Sequence, residues 1–261
     1  MSFNISKKKH RVILVHDFIE SKRRGLNKNQ DEKYLLSFSK FKSCIEASIK
    51  NGINFEKLFT NHENKNFVQI TSDDGGGSAL LLANFLKDQG IKGIFFIITS
   101  KIGSKNFLNY EEIKYIHSMG HQIGSHSHTH PNPFCKLNKD EIAYEIYKSR
   151  SILEELLNDK ITTFSVPGGE CTKSTLLTLS GEEFDLKEIY TSTPFQGEYF
   201  RNLNSVFYGR LCIFKSMGKK QIIRIINGEG WTLKRIRYQS GRFKREREAD
   251  FRKLNSRILI K

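Results

Sequence analysis

Ile94-Phe95-Phe96-Ile97-Ile98 is the stretch that decides the fold, because five consecutive apolar residues with strong β preference predict a strand buried on both faces. Strands of this kind belong to parallel sheets that are covered by helices. Toward the N-terminus, residues 79–89 predict a helix that ends before Gly90, and residues 67–71 predict a second strand. Toward the C-terminus, residues 122–124 predict a third strand. This alternation predicts an α/β protein.

The same alternation extends along most of the chain. Further elements are predicted at residues 12–15 and 163–166 (strands) and at residues 41–51 and 138–157 (helices). The pattern predicts a largely parallel sheet or barrel with helices outside it. Residues 181–209 are poorly patterned and are expected to form loops, whereas the apolar run 222–226 is expected to close the barrel. Since no repeat or linker interrupts the chain, we expect one domain over residues 1–261.

Composition excludes several classes of protein. With 261 residues, 38% of them hydrophobic, the chain can bury a core, so disorder of the whole chain is excluded. No apolar run approaches the roughly 18 to 20 residues of a membrane span. The run Val12–Val15 ends at His16 and is too short for a signal-peptide core, so a cytoplasmic protein is expected. The four cysteines form no Cys-x-x-Cys pair, which disfavours a zinc ribbon or a thioredoxin-like site.

Positive charge is concentrated at the C-terminal end. The chain has a net charge of +15, and its basic segment 219–261 holds 14 Lys and Arg against 4 Asp and Glu. Residues 244–254 predict a charged helix, which could be only a solvated outer helix or could contact anionic lipid. The bias suggests an anionic partner: phospholipid headgroups, a phosphorylated substrate or nucleic acid. Nucleic acid is not expected, because no zinc-finger, RNP-like or helix-turn-helix pattern is present.

Two groups of polar residues stand where predicted strands end. Asp73 and Asp74 follow the strand 67–71, and His126, His128 and His130 follow the strand 122–124. Carboxylates and closely spaced imidazoles are what a mononuclear metal hydrolase requires, although Asp-Asp-Gly alone is equally typical of a turn. In a helix or tight turn His126 and His130 would share a face, and in an extended strand all three histidines would.

These segments resemble the motifs of a known family, the polysaccharide deacetylases with a NodB-homology domain (carbohydrate esterase family 4). The segment Thr71-Ser72-Asp73-Asp74-Gly75 is similar to the family's Thr-Phe-Asp-Asp-Gly motif. The segment His126-Ser127-His128-Thr129-His130 resembles its His-Ser/Thr-x-x-His motif, and Phe164–Gly169 resembles its Arg-x-Pro motif. The resemblance covers residues 12–166 and fades thereafter.

The resemblance implies a distorted (β/α) barrel of the NodB-like type and one divalent metal ion, most often zinc. Carried over onto this sequence, Asp74, His126 and His130 would be the metal ligands. Asp73 would be the base that deprotonates the attacking water. The backbone N–H of Gly168 would help to hold the oxyanion, a donor typically worth about 3 kcal/mol.

Two departures from the family pattern concern catalysis. The arginine of the third motif, which orients the catalytic aspartate, is Ser165 here, so another cation or a hydrogen bond must restrain that aspartate. The family's last motif supplies a histidine as general acid, but this chain has no histidine after His130. The proton could come from His16, Asp17 or Glu170, or could be shuttled by the water and its base.

The sequence therefore predicts a metal-dependent hydrolase that removes an N-acetyl or related acyl group from a sugar. The expected substrate is a cytoplasmic nucleotide-linked or lipid-linked precursor of a surface glycan, and the basic segment 219–261 is expected to allow peripheral contact with an anionic membrane. The alternative is a catalytically silent, metal-bound carbohydrate-binding or scaffolding relative of the same fold.

Overall fold

The structure, a computed structural model, describes residues 10–25, 32–58, 67–194, 204–231 and 233–234. In this part of the chain, seven parallel strands close into a barrel in the order β1-β4-β5-β6-β7-β8-β9. The barrel strands are β1 (Arg11–Val15), β4 (Val68–Ser72), β5 (Gly93–Ile97), β6 (Gln122–Ser125), β7 (Thr163–Ser165), β8 (Glu188–Thr191) and β9 (Val206–Cys212). A separate two-stranded sheet consists of β2 (Asp17–Phe18) and β3 (Leu35–Leu36).

Helices occupy the connections between the strands. They are α1 (Phe38–Lys50), α2 (Ala79–Asp88), α3 (Tyr110–Ser118), α4 (Lys139–Leu157), α5 (Lys173–Leu179) and α6 (Lys219–Ile226). Every residue of β1, β4 and β5 is buried, as strands covered on both faces require. The predicted (β/α) barrel is thereby confirmed.

Parallel pairing places all the strand carboxyl ends at one rim of the barrel. Strand β1 lies between β4 and β9, with Val15 opposite Ser72 and Leu14 opposite Cys212. The residues that follow β1, β4 and β6 therefore meet at this rim, which is where α/β barrels place their active sites.

The interior of the barrel is filled by large side chains. One buried cluster contains Ile94, Phe96, Tyr190 and Tyr208, and a second, larger cluster packs the helices against the outer face of the strands. Burying an apolar side chain of this size contributes roughly 1.5–3 kcal/mol, so these clusters stabilise the barrel.

Two predictions for the C-terminal half are wrong. Residues 181–209, predicted as loops, contain β8 and the first residues of β9. The apolar run 222–226 does not close the barrel but lies in α6, because Ile222, Ile225 and Ile226 share one buried helical face. The barrel is closed by β9, whose apolar pattern is interrupted by Gly209 and Arg210.

A smaller difference concerns the start of α1, which begins three residues earlier than predicted. Ser37 is its N-cap residue, and its side chain accepts a hydrogen bond from the Lys40 N–H. The predicted helix 244–254 lies outside the described residues, so it stays a prediction, as does the assignment of residues 1–261 to one domain. Among the described helices, none is both long and apolar enough to cross a membrane.

Candidate active site

The barrel rim brings together the four residues that the two sequence motifs single out. Asp73 and Asp74 follow β4, and His126 and His130 follow β6. The His126 Nε2 lies 3.4 Å from the Asp74 Oδ1, and the His130 Nε2 lies 3.7 Å from the same oxygen. Asp73 is adjacent, with its Oδ2 3.6 Å from the His126 Nε2. The two motifs, which are far apart in the sequence, therefore form one site.

The donor atoms of Asp74, His126 and His130 fit a divalent cation. One ligand atom from each residue lies within 4.8 Å of the other two. Ligands of a tetrahedral zinc ion, each at about 2.1 Å from the metal, lie roughly 3.4 Å apart, close to the two distances from Asp74. His126 is further oriented by its Nδ1, which lies 2.8 Å from the Ser165 carbonyl oxygen. This contact leaves the His126 Nε2 available as the ligand atom.

The loop after β6 brings His126 and His130 to one face, as the turn geometry considered from the sequence predicts. Ser127 and His130 have left-handed backbone angles, with φ of 65° and 60°. The turn is closed by the Ser127 Oγ, which accepts a hydrogen bond from the His130 N–H at 3.0 Å. The rings of His126 and His130 consequently face each other at 4.8 Å between centroids, whereas His128 turns away and bonds the Thr99 Oγ1 at 2.9 Å.

A buried carboxylate from α4 fixes this loop from behind. Glu145 accepts hydrogen bonds from the backbone N–H groups of His128 and Thr129, each at 2.8 Å, and from the Thr129 Oγ at 2.5 Å. These bonds satisfy backbone N–H groups of the loop that do not pair within the sheet. The position of the candidate ligands therefore depends on α4 as well as on the loop itself.

Asp73 is held by a residue that the sequence motifs do not mark. The Arg210 Nη1 donates to the Asp73 Oδ1 at 2.6 Å, and its Nη2 donates to the Asp73 Oδ2 at 2.8 Å. Ser165, at the position of the missing arginine, donates its hydroxyl to the Asp73 Oδ2 at 3.0 Å and accepts from the Arg210 Nη2 at 2.8 Å. A cation from β9 therefore restrains Asp73 in place of the third-motif arginine.

Arg210 is fully buried and firmly oriented. Its Nε donates to the Thr191 carbonyl oxygen at 3.2 Å, and its guanidinium lies 5.5 Å from the centroid of the Phe96 ring. Burial alone would raise the pKa of Asp73, but Arg210 and then His126 offset that effect and hold the pKa below its ordinary value. Asp73 is thus kept ionised although it is buried.

The candidate ligands differ in their electrostatic surroundings. Burial opposes ionisation of Asp74, yet the hydrogen bond from His126 and the nearby histidines lower its pKa. Burial and the neighbouring His126 lower the pKa of His130 to about 4, so His130 is neutral at physiological pH. Burial would lower the pKa of His126, but Asp73 and Asp74 outweigh burial and raise it. A cation at this site would therefore compete with a proton at His126.

Gly168, the predicted oxyanion donor, lies in a turn that leaves its N–H accessible. Gly168 and Gly169 both have left-handed angles, with φ of 68° and 69°. The Gly169 N–H donates to the Val166 carbonyl oxygen at 2.9 Å, whereas no acceptor among the described residues takes the Gly168 N–H. Gly169 cannot carry a side chain, because a Cβ there would lie 2.0 Å from the Ser192 Oγ.

The three alternative proton donors occupy different places. His16 follows β1 at the rim and lies close enough to Asp74 and His130 to lower the pKa of each electrostatically, as a smaller contribution beside burial. Asp17 is buried and accepts a hydrogen bond from the Ser78 hydroxyl. Glu170 is exposed beside the glycine turn. His16 is therefore the alternative that lies nearest the candidate ligands.

Comparison with known proteins agrees with this geometry. Residues 60–184 match the sequence profile of the family described as polysaccharide deacetylase. The peptidoglycan-N-acetylglucosamine deacetylase of Bacillus cereus is 30% identical over 128 residues, which make up 48% of this chain and 45% of that protein. The chain thus spans less than half the length of this curated relative.

Solved structures share the fold. A polysaccharide deacetylase from Bacillus cereus superposes with a TM-score of 0.67 at 17% identity, over 84% of this chain and 69% of that one. A Streptococcus pyogenes deacetylase in complex with acetate superposes with a TM-score of 0.67 at 19% identity, over 83% of this chain and 97% of that one. At these sequence identities, the structural similarity establishes the barrel fold alone.

Proposed function

Because this chain carries a polysaccharide deacetylase domain of the NodB-homology type (carbohydrate esterase family 4), we propose that it is a metal-dependent hydrolase that removes an N-acetyl or related acyl group from a sugar. One observation carries the proposal. Asp74, His126 and His130 form a set of ligands beside Asp73, a second carboxylate that Arg210 keeps ionised. This pairing supplies a cation site and a separate base.

Each residue of the site has a separate role in the hydrolysis. A divalent cation held by Asp74, His126 and His130 would polarise the acyl carbonyl and make the attacking water more acidic. Asp73 accepts a proton from that water as the new carbon–oxygen bond forms. Since Arg210 fixes both oxygens of Asp73, the base cannot rotate away from the water. The Gly168 N–H donates to the oxyanion that develops on the carbonyl oxygen.

The leaving amine needs a proton when its bond to the carbonyl carbon breaks, and we assign this role to His16. The imidazole of His16 faces the Tyr34 ring at 4.5 Å between centroids, and its Nδ1 lies 4.0 Å from the Cys212 Sγ. These contacts support its ring beside the candidate ligands. Transfer of the His16 proton to the nitrogen breaks the carbon–nitrogen bond and releases the amine and the carboxylic acid, which loses its proton to solvent. The proton that Asp73 took from the water leaves Asp73 and a proton returns to His16, so both residues regain their starting states. General acid assistance of this kind typically contributes about 10²- to 10⁴-fold in rate.

We expect N-acetylglucosamine to be the sugar, because the similar Bacillus cereus protein is named as a peptidoglycan-N-acetylglucosamine deacetylase. The nucleotide-linked or lipid-linked precursor, the cytoplasmic location, zinc as the metal and contact with an anionic membrane stay predictions. The net charge of +15 supports a partner or substrate with negative charge.

The test is release of a carboxylate from acylated sugars by the purified, metal-loaded full chain. N-acetylglucosamine oligomers, a nucleotide-linked N-acetyl sugar and a lipid-linked one would each be incubated with the protein, and acetate and free amine would be counted separately. Equal amounts of the two products, abolished by a chelator and restored by added metal, are expected. Sugar binding without either product would favour the catalytically silent alternative.

A further inference from the structure

The position of His16 fixes how a substrate lies in the site, if the proposed function holds. The sugar that carries the leaving amine must lie on the His16 side of the ligands, because the proton goes to that nitrogen. Beyond His16 this side consists of two half-buried aromatic rings, Tyr34 and Phe214, whose centroids are 5.5 Å apart. The exposed parts of these two rings offer an apolar surface that a sugar ring can contact.

Lysines surround this aromatic surface. The Lys33 Nζ lies 4.8 Å from the centroid of the Tyr34 ring, and the Lys33 carbonyl oxygen accepts the Lys215 N–H at 2.8 Å. The Lys40 Nζ donates to the carbonyl oxygens of Lys215 and Met217, at 3.4 Å and 3.2 Å. Together with the first turn of α6, these residues form what we call the lysine rim: Lys33, Lys40, Lys215, Lys219 and Lys220.

The lysine rim extends toward the proposed proton donor. The Lys33 ammonium lies over the Tyr34 ring, whose centroid is 4.5 Å from that of the His16 ring. Lys33, Lys215, Lys219 and Lys220 are exposed, so their ammonium groups can reach a ligand.

Few acidic groups oppose this charge. Among the described residues, Glu32 pairs with the Lys215 ammonium. Glu20 lies at the start of α1, where its oxygens accept the N–H groups of Phe38 and Ser39 at 2.7 Å and 3.1 Å. Five lysines against these two carboxylates leave a net positive charge on this surface.

We infer that the lysine rim is a subsite for phosphate attached to the sugar that is deacetylated, so the substrate is a glycosyl phosphate or diphosphate rather than a neutral polymer. Lysine ammonium groups bind phosphate as point charges, and their flexible stems tolerate more than one position of the phosphate. Tyr34 and Phe214 would carry the sugar, and the lysine rim would carry its anionic substituent.

The experiment compares kcat/KM for phosphorylated and neutral N-acetylglucosamine substrates in matched variants of the full chain. We expect Lys33→Ala/Lys215→Ala to lower the ratio of phosphorylated to neutral kcat/KM about tenfold, since one exposed ion pair changes affinity by a factor of about 1.5 to 5. The control Lys87→Ala/Lys148→Ala removes the same charge from exposed positions on α2 and α4. Its ratio should equal that of the parent, and raised salt should lower the parent's ratio.

Two arms identify the source of the phosphate: a nucleoside-diphosphate sugar and a short-chain lipid diphosphate sugar. A preference for either over the neutral oligomer supports the inference and names the source. A ratio that is unchanged in Lys33→Ala/Lys215→Ala, or lowered equally in the control, overturns it.

Binding separates this inference from the proposed function. Calorimetric Kd values for the same sugars, measured with the Asp73→Asn chain, do not depend on turnover. Tighter binding of the phosphorylated sugar that the lysine-rim variant loses would support the subsite even if no acetate were released. Equal binding of neutral and phosphorylated sugars would overturn it, and lysine-dependent binding to anionic vesicles alone would assign the surface to a membrane instead.

Discussion

At the scale of single residues, the pairing of Asp73 with Arg210 sets the chemistry of the base. A carboxylate buried this deeply would bind a proton at higher pH if it had no cation beside it. Because the pKa of Asp73 is lower in the folded chain than in the unfolded one, its ionised form stabilises the fold above the unfolded pKa of about 3.9. That contribution is lost as the pH falls through the folded pKa.

Replacement of Arg210 should reverse this effect. In Arg210→Met the Asp73 carboxylate keeps its burial and loses its cation, so its pKa should rise and the acidic limb of the kcat/KM profile should move to higher pH. Removal of one partner of a buried ion pair typically costs about 3–5 kcal/mol of unfolding free energy. Urea unfolding and pH–rate profiles would measure both effects, with Arg210→Lys as the control that keeps the charge. If the acidic limb of the Arg210→Met profile does not move, Arg210 does not control the pKa of Asp73.

The histidine motif provides a matched pair of variants for the metal site. His130→Ala removes a candidate ligand, so we expect the bound metal per chain, measured after dialysis, to fall well below the parent value. His128→Ala removes a ring that bonds Thr99 outside the ligand set, and its metal content should stay near the parent value. Loss of metal in His128→Ala but not in His130→Ala would contradict the assigned ligands.

His16 can be tested by changing the leaving group. An amide needs protonation of its nitrogen, whereas an activated aryl ester has a leaving group that departs without a proton. We expect His16→Gln to lose about 10²-fold or more in amide hydrolysis and much less in ester hydrolysis. Equal losses on both substrates would mean that His16 only supports the structure of the site.

At the scale of elements, the small β2-β3 sheet braces the turn that carries Asp74. Asp17 in β2 accepts the Ser78 hydroxyl, and the Phe18 N–H donates to the same hydroxyl oxygen at 3.1 Å. Gly76 lies directly against the carboxylate, since a Cβ there would lie 2.4 Å from the Asp17 Oδ1. Asp74 needs this support, because its φ of 75° is unfavourable for a residue with a side chain.

Loss of the brace should weaken the site. We expect Asp17→Ala to lower the unfolding free energy by about 1–3 kcal/mol, because the Ser78 hydroxyl is left without its buried acceptor. Metal affinity should fall with it, whereas Asp17→Asn keeps an acceptor oxygen and should lie nearer the parent. Metal titration and thermal unfolding of the two variants would measure this. A destabilised Asp17→Ala chain with unchanged metal affinity would show that the brace does not position Asp74.

At the scale of the whole molecule, the sequence predicted the parts of the barrel that are continuous in the chain. Strands β1, β4, β5, β6 and β7 lie at predicted strands, and the two motifs stand directly after strand ends, so local patterns were sufficient. Arg210 was missed because it lies 137 residues from Asp73, and only closure of the barrel through β9 brings the two together. A single cation in the otherwise apolar run around Leu211 was the signal that could have revealed it.

The C-terminal half was harder to predict for the same reason. Strand β9 serves the site through Arg210, so its inward positions are not purely apolar and the strand pattern is obscured. The apolar run 222–226 suggests a barrel-closing segment, although the burial of residues 222, 225 and 226 follows the helical period. In β9, a side chain that belongs to the site interrupts the hydrophobic periodicity on which the prediction of a strand depends.

The central claim is that Asp73 is a base held by Arg210 beside a cation site, and not itself a ligand. Asp73→Asn tests it most directly, because the amide keeps the shape of the side chain and cannot accept the proton. The metal content and the release of acetate from an N-acetylglucosamine substrate would be measured on the same purified sample. We expect one metal ion per chain, as in the parent, with hydrolysis abolished. Parental activity in Asp73→Asn would contradict the role of Asp73 as the base, and loss of the metal would make Asp73 a ligand.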